Sequence, residues 1–185
     1  MSPLHQIAPE TTGDRVRGLL DAVKSKLGLV PNMMRAMANS PAVLDGYLQF
    51  SGALGKGSLS TRVREQISLA VAQANGCDYC LAAHSAIGKM VGLTDEQVRD
   101  SRLGTAVSPR ADALIRLALE VVQARGRVSD TALAEVREAG FDDGAIADVV
   151  AHVAIDVFTN YFNNVARTEV DFPRAPELTP EPVGA

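Results

Sequence analysis

Apolar residues recur at intervals of three and four along almost the whole chain. In Asp14–Leu27 (DRVRGLLDAVKSKL) they are Val16, Leu19, Leu20, Val23 and Leu27, one face of an α-helix. Gly28 is a helix stop. Pro31 starts a short helical piece, NMMRAMANS, and Pro41 a second, AVLDGYLQFSGAL. Ser60 is an N-cap for TRVREQISLAVAQAN, whose stripe is Val63, Ile67, Ala70, Val71 and Ala74. A further helix is expected from about Asp78 to Val91. Thr94-Asp95-Glu96-Gln97 is a capping-box pattern, Ser108-Pro109 opens a helix to about Ala124, and Ser129 caps Asp130–Ala139. The last and longest helix runs from Gly144 to about Arg167. Strand alternation is not found, so the expected fold is all-α, a helical bundle. Residues 1–170 form one domain in this reading. Residues 171–185 (DFPRAPELTPEPVGA) hold four prolines and form an extended tail.

Composition narrows the function. The formal net charge is −4, with acidic and basic residues interspersed. Such a chain lacks the basic face that nucleic acid or an anionic membrane surface selects. No apolar run is expected to reach the ~20 residues of a membrane span. The start, MSPLHQIAPETTGD, has neither a basic nor an apolar leader region. A cytoplasmic location is the expectation. In a reducing compartment two cysteines point to metal binding or redox chemistry rather than to a structural staple.

Both cysteines fall in one stretch, GCDYCLAAH, residues 76–84. Gly76 ends one helix, Cys77 begins the next, and Cys80 lies one turn in. Their i, i+3 spacing lets the sulfurs approach. The amides and dipole of a helix N-terminus stabilise a thiolate. His84 lies on the Cys80 face one turn further on, where an imidazole can exchange a proton with the thiol. If the two helices pack antiparallel, Glu65 reaches back to His84 and orients it. Tyr79 offers a phenol between the cysteines. Three uses of the pair remain open at this point: buried small side chains, a zinc site completed by His84 and His152, and a redox couple.

The run from Glu65 to His84, EQISLAVAQANGCDYCLAAH, resembles the alkyl hydroperoxidase D group of the carboxymuconolactone decarboxylase superfamily. That pattern is a glutamate, eleven residues, CxxC, three residues and a histidine. Glu65, Cys77, Cys80 and His84 meet each position. The stretch FTNYFNN (158–164) with Asp171-Phe172-Pro173 is similar to the peroxidase-related branch. The resemblance implies an all-helical fold and a peroxide-reducing cysteine pair. Cys80 would attack, Cys77 would resolve the sulfenic acid, and His84 with Glu65 would relay the proton. It also implies a small hydroperoxide substrate, a dithiol or lipoyl-type reductant protein, a homo-oligomer, and neither metal nor organic cofactor. Where well-known peroxidase members carry a second histidine between the cysteines, this chain has Tyr79. Members that decarboxylate the lactone lack the CxxC pair.

The other readings are a thiol-exchange or redox-sensing protein, a zinc-stabilised module, and a carboxymuconolactone decarboxylase-like enzyme. His152 reads as a core or interface histidine among Val149, Val150 and Val153, and His5 as a solvated terminal residue. Met33, Met34 and Met37 read as core. Asn160, Asn163 and Asn164 read as a polar interface at a helix end.

Overall fold

Side-chain caps start the helices close to where the sequence places them. In the computed structural model, which describes residues 3–178, the helices are α1 (Asp14–Leu27), α2 (Asn32–Met37), α3 (Pro41–Leu54), α4 (Thr61–Ala74), α5 (Asp78–Met90), α6 (Asp95–Arg102), α7 (Pro109–Gln123), α8 (Asp130–Glu138) and α9 (Asp143–Ala166). The described residues contain no strand, and the fold is all-α. Ser60 and Ser129 accept hydrogen bonds from the amides of Val63 and Ala132. Thr94 and Gln97 form the reciprocal capping box. Gly28 closes α1 in the left-handed conformation at φ 77°. Pro31 caps α2 from outside, and α2 stops at Met37, before the predicted Ser40.

Helix α4 is the centre of the molecule and packs against α5, α6, α7 and α9. Its two sides serve two apolar clusters. Ile67 and Val71 join Leu114, Ile115, Val136 and Val149 from α7, α8 and α9. Ala72 joins a second cluster with Leu20, Met37, Leu44, Cys77 and Cys80. The cysteines therefore sit inside packed structure rather than on a loop.

Helix α9 corrects one expectation. It is 24 residues long with a mean hydropathy of 1.3 across its most apolar window, enough by length and composition for a membrane span. Yet it packs on α3, α4, α5 and α7 and buries His152, Asp156, Asn160 and Asn163. Polar groups directed into the fold are what a core helix can satisfy and a lipid-facing one cannot. Its outward side carries Val150, Phe158, Tyr161 and Val165, all exposed.

The Pro-rich tail lies on the body of the protein as far as it is described. Asp171 Oδ2 accepts from the Asn32 amide at 2.7 Å, and Arg102 Nη1 donates to the Pro176 carbonyl at 2.5 Å. Residues 179–185 of the predicted tail lie outside the described residues.

Candidate active site

Gly76, at φ 59°, lets the chain reverse between α4 and α5. Cys77 then serves as the N-cap of α5, and its Sγ accepts from the Cys80 amide at 3.2 Å. The two cysteines are joined as a disulfide, with Cα atoms 5.3 Å apart. Both are buried, but differently placed. Cys80 lines a cavity of about 310 Å³, whereas Cys77 is fully buried and is not among the residues lining it.

The hairpin of α4 on α5 brings Glu65 beside His84, with Oε2 2.8 Å from Nδ1. Both line the Cys80 cavity. Their side chains are 14% and 21% exposed. Burial by itself would lower the His84 pKa; the Glu65 carboxylate against Nδ1 and the nearby Asp156 override it, and the pKa is raised. With Nδ1 engaged by Glu65, Nε2 is the nitrogen left to exchange a proton.

A second carboxylate, which the sequence reading did not single out, faces the same space. Asp156 is 5% exposed and accepts from Ser68 Oγ at 3.0 and 3.1 Å. Burial pushes its pKa up to about 7, helped by Glu65 and opposed by His84 and the Ser68 hydroxyl. The folded chain thus holds a proton that an unfolded aspartate has released. The resulting stability is full below the unfolded value of 3.8 and is lost as pH rises through about 7. Asp156→Asn removes this titration. Relative to the parent, the variant should gain about 2 kcal/mol of stability between pH 5 and pH 8, read by denaturant unfolding at both values. A pH-independent difference would show that Asp156 ionises normally.

His152 also lines this cavity rather than simply filling core. Burial and the Arg64 charge lower its pKa, so it is held toward the neutral form. Met33 and Met34 are buried as expected, and both also form cavity wall.

Tyr79 points its hydroxyl at the tail. The Met33 amide donates to it at 3.3 Å, and it shares a hydrogen bond with the Asp171 carboxylate. Its ring meets Phe172 edge-on at 5.8 Å, and Phe172 lines the cavity as well. Burial raises the Tyr79 pKa far above the ordinary phenol value, so the phenol stays protonated. The residue between the cysteines therefore ties the C-terminal segment over the site.

The asparagines of α9 lie in its last two turns, as expected, and form a polar interface with the turn after α4. Asn75 Nδ2 donates to Asn160 Oδ1 at 2.9 Å, and Asn164 Nδ2 donates to the Asn75 carbonyl at 3.2 Å. Between them, Asn163 reaches the cysteine itself, with Nδ2 3.4 Å from Cys80 Sγ. The zinc arrangement does not assemble. The sulfurs bond to each other, and among the described residues no group of three His, Cys, Asp or Glu side chains converges as a metal set.

An all-α bundle with a disulfide-forming CxxC at a helix start defines a class of helical thiol proteins. The carboxymuconolactone decarboxylase family model matches residues 41–124, a stretch that contains Glu65, Cys77, Cys80 and His84. Among solved structures the chain is similar to an alkylhydroperoxidase AhpD core, an uncharacterized peroxidase-related protein from Ralstonia eutropha. Identity is 28%, coverage 92% of each chain and the TM-score 0.83. A peroxidase-related protein from a Silicibacter species shares the fold at 24% identity, with 90% and 89% coverage and a TM-score of 0.78. The debrominase Bmp8 does so at 17% identity, with 85% and 87% coverage and a TM-score of 0.73. No curated protein sequence matches the chain.

Proposed function

We propose that the protein is a thiol-dependent hydroperoxidase. The observation carrying this reading is the placement of Cys80: it is the sulfur at the wall of the cavity, beside the Glu65–His84 pair, with Cys77 bonded to it from the buried side. In the reduced protein His84 takes the Cys80 thiol proton. The thiolate attacks the outer oxygen of a hydroperoxide, forming an S–O bond as the O–O bond breaks. The sulfur is oxidised by two electrons, and the departing alkoxide takes the proton back from His84 and leaves as the alcohol. Cys77 then attacks the sulfenic sulfur, water leaves, and the disulfide forms. An external dithiol, of the lipoyl type, returns two electrons and two protons.

Glu65 orients and charges His84 in this scheme, and Tyr79 acts by holding the tail over the site. The cavity's apolar wall, which includes Met33, Met34, Tyr47, Ile87 and Phe172, favours an organic hydroperoxide over hydrogen peroxide. The AhpD core among the similar structures supports the reading. The exposed apolar side of α9 supports self-association.

The test is steady-state consumption of an alkyl hydroperoxide by the purified protein with a dithiol such as dihydrolipoamide. Turnover dependent on the dithiol is expected. Oxidation of the cysteine pair without turnover would instead identify a sensor or thiol-exchange protein.

A further inference from the structure

Asn163 is 2% exposed and lies near the end of α9. Its Nδ2 approaches two sulfurs, Cys80 Sγ at 3.4 Å and Met33 Sδ at 3.2 Å. Its Oδ1 is buried without a hydrogen-bond partner. The amide is thus oriented by what its N–H groups touch and not by an acceptor bond of its own. The flanking bonds of Asn160 and Asn164 to Asn75 hold α9 against the turn before Cys77 and keep Asn163 aimed at the sulfur. A buried amide with an unmet acceptor is a poor choice for packing alone, since an apolar side chain of equal size would fill the space without that cost.

We propose that Asn163 is a further catalytic residue of the cysteine site, donating a side-chain N–H to Cys80 Sγ and holding the negative charge of the attacking sulfur. A hydrogen bond to the charged form favours that form. The amide supplies it from α9, whereas the Cys80 backbone N–H at the start of α5 donates to Cys77 Sγ. The proposal rests on Cys80 being the reactive thiol.

The other ionisable groups around the cavity are Tyr47 on α3, Arg64 and Glu65 on α4, Tyr79 and His84 on α5, and His152 and Asp156 on α9. The test must isolate Asn163 from them. In a Cys77→Ser background, where serine can still cap α5, the pKa of Cys80 is read from the pH dependence of iodoacetamide alkylation. Asn163→Leu should raise it by about one unit, a roughly tenfold slower alkylation below the midpoint with the alkaline plateau unchanged. Asn163→Asp, which keeps the shape but replaces the donor by a carboxylate, should raise it further. In the reduced Cys77→Ser protein the Asn163 side-chain NH₂ resonances should shift with the Cys80 midpoint, a readout that needs no substitution at 163. Unchanged Cys80 midpoints in the folded variants, or NH₂ resonances that ignore the Cys80 titration, would overturn the proposal. Alkylation needs no peroxide, so a protein that shows these shifts without consuming hydroperoxide would overturn the peroxidase reading alone.

Discussion

Cys80→Ser is expected to abolish the proposed hydroperoxide consumption, a loss on the order of 10³-fold or more, because a serine hydroxyl offers no thiolate to attack the O–O bond. Cys77→Ser behaves differently. It should consume one equivalent and stop, with a sulfenic acid on Cys80 that a dimedone probe traps. The asymmetry follows from exposure to the cavity: Cys80 lines it and Cys77 does not. Rapid-quench peroxide assays on the two reduced variants measure it. If Cys77→Ser fails in the first round while Cys80→Ser completes it, the attacking sulfur is Cys77.

The second large effect belongs to the Glu65–His84 pair. His84→Asn removes the group that returns a proton to the departing oxygen and should cost about 10²–10⁴ in kcat/KM. Glu65→Gln leaves the imidazole in place but removes the charge that counters burial, so the His84 pKa falls. The alkaline limb of the kcat/KM profile reports loss of the imidazolium proton, and it should therefore move to lower pH in Glu65→Gln. The double variant should be little worse than His84→Asn, since the two side chains act as one unit. The same pair contributes to stability. A histidine raised above its unfolded 6.5 stabilises the fold most below that value, and the contribution fades as pH climbs through the folded pKa. A pH profile unmoved by Glu65→Gln would remove Glu65 from the relay.

Much of this site was legible because it is local. Glu65, Cys77, Cys80 and His84 lie within 20 residues, on two helices joined by one glycine turn. Such a hairpin has few ways to pack, and the antiparallel one brings Glu65 to His84. The helix starts were legible for the same reason, since Ser60, Thr94 and Ser129 act on amides two or three residues away.

Asp156 was missed, and Asn163 was read only as part of a polar interface, because both arrive from α9, far along the chain. A signal was nevertheless present. His152, Asp156, Asn160 and Asn163 recur every three or four residues through the longest helix, a polar stripe at helical period. Amphipathic helices usually turn such a stripe to water. Here the stripe faces in, and Val150, Phe158, Tyr161 and Val165 face out. Overall apolar content hid that inversion. The tail was harder. Phe172 over Tyr79 and Asp171 on the Asn32 amide are contacts of an irregular segment, and no periodicity predicts where such a segment docks.

The most direct measurement is a single-turnover titration without oxygen. Fully reduced protein receives one equivalent of an organic hydroperoxide, and both the remaining peroxide and the intact mass are then recorded. The account predicts that the equivalent is consumed, the alcohol appears, the mass falls by two hydrogens, and the bond maps to Cys77–Cys80. Peroxide left unconsumed, or consumed with both thiols still open to alkylation, would contradict it.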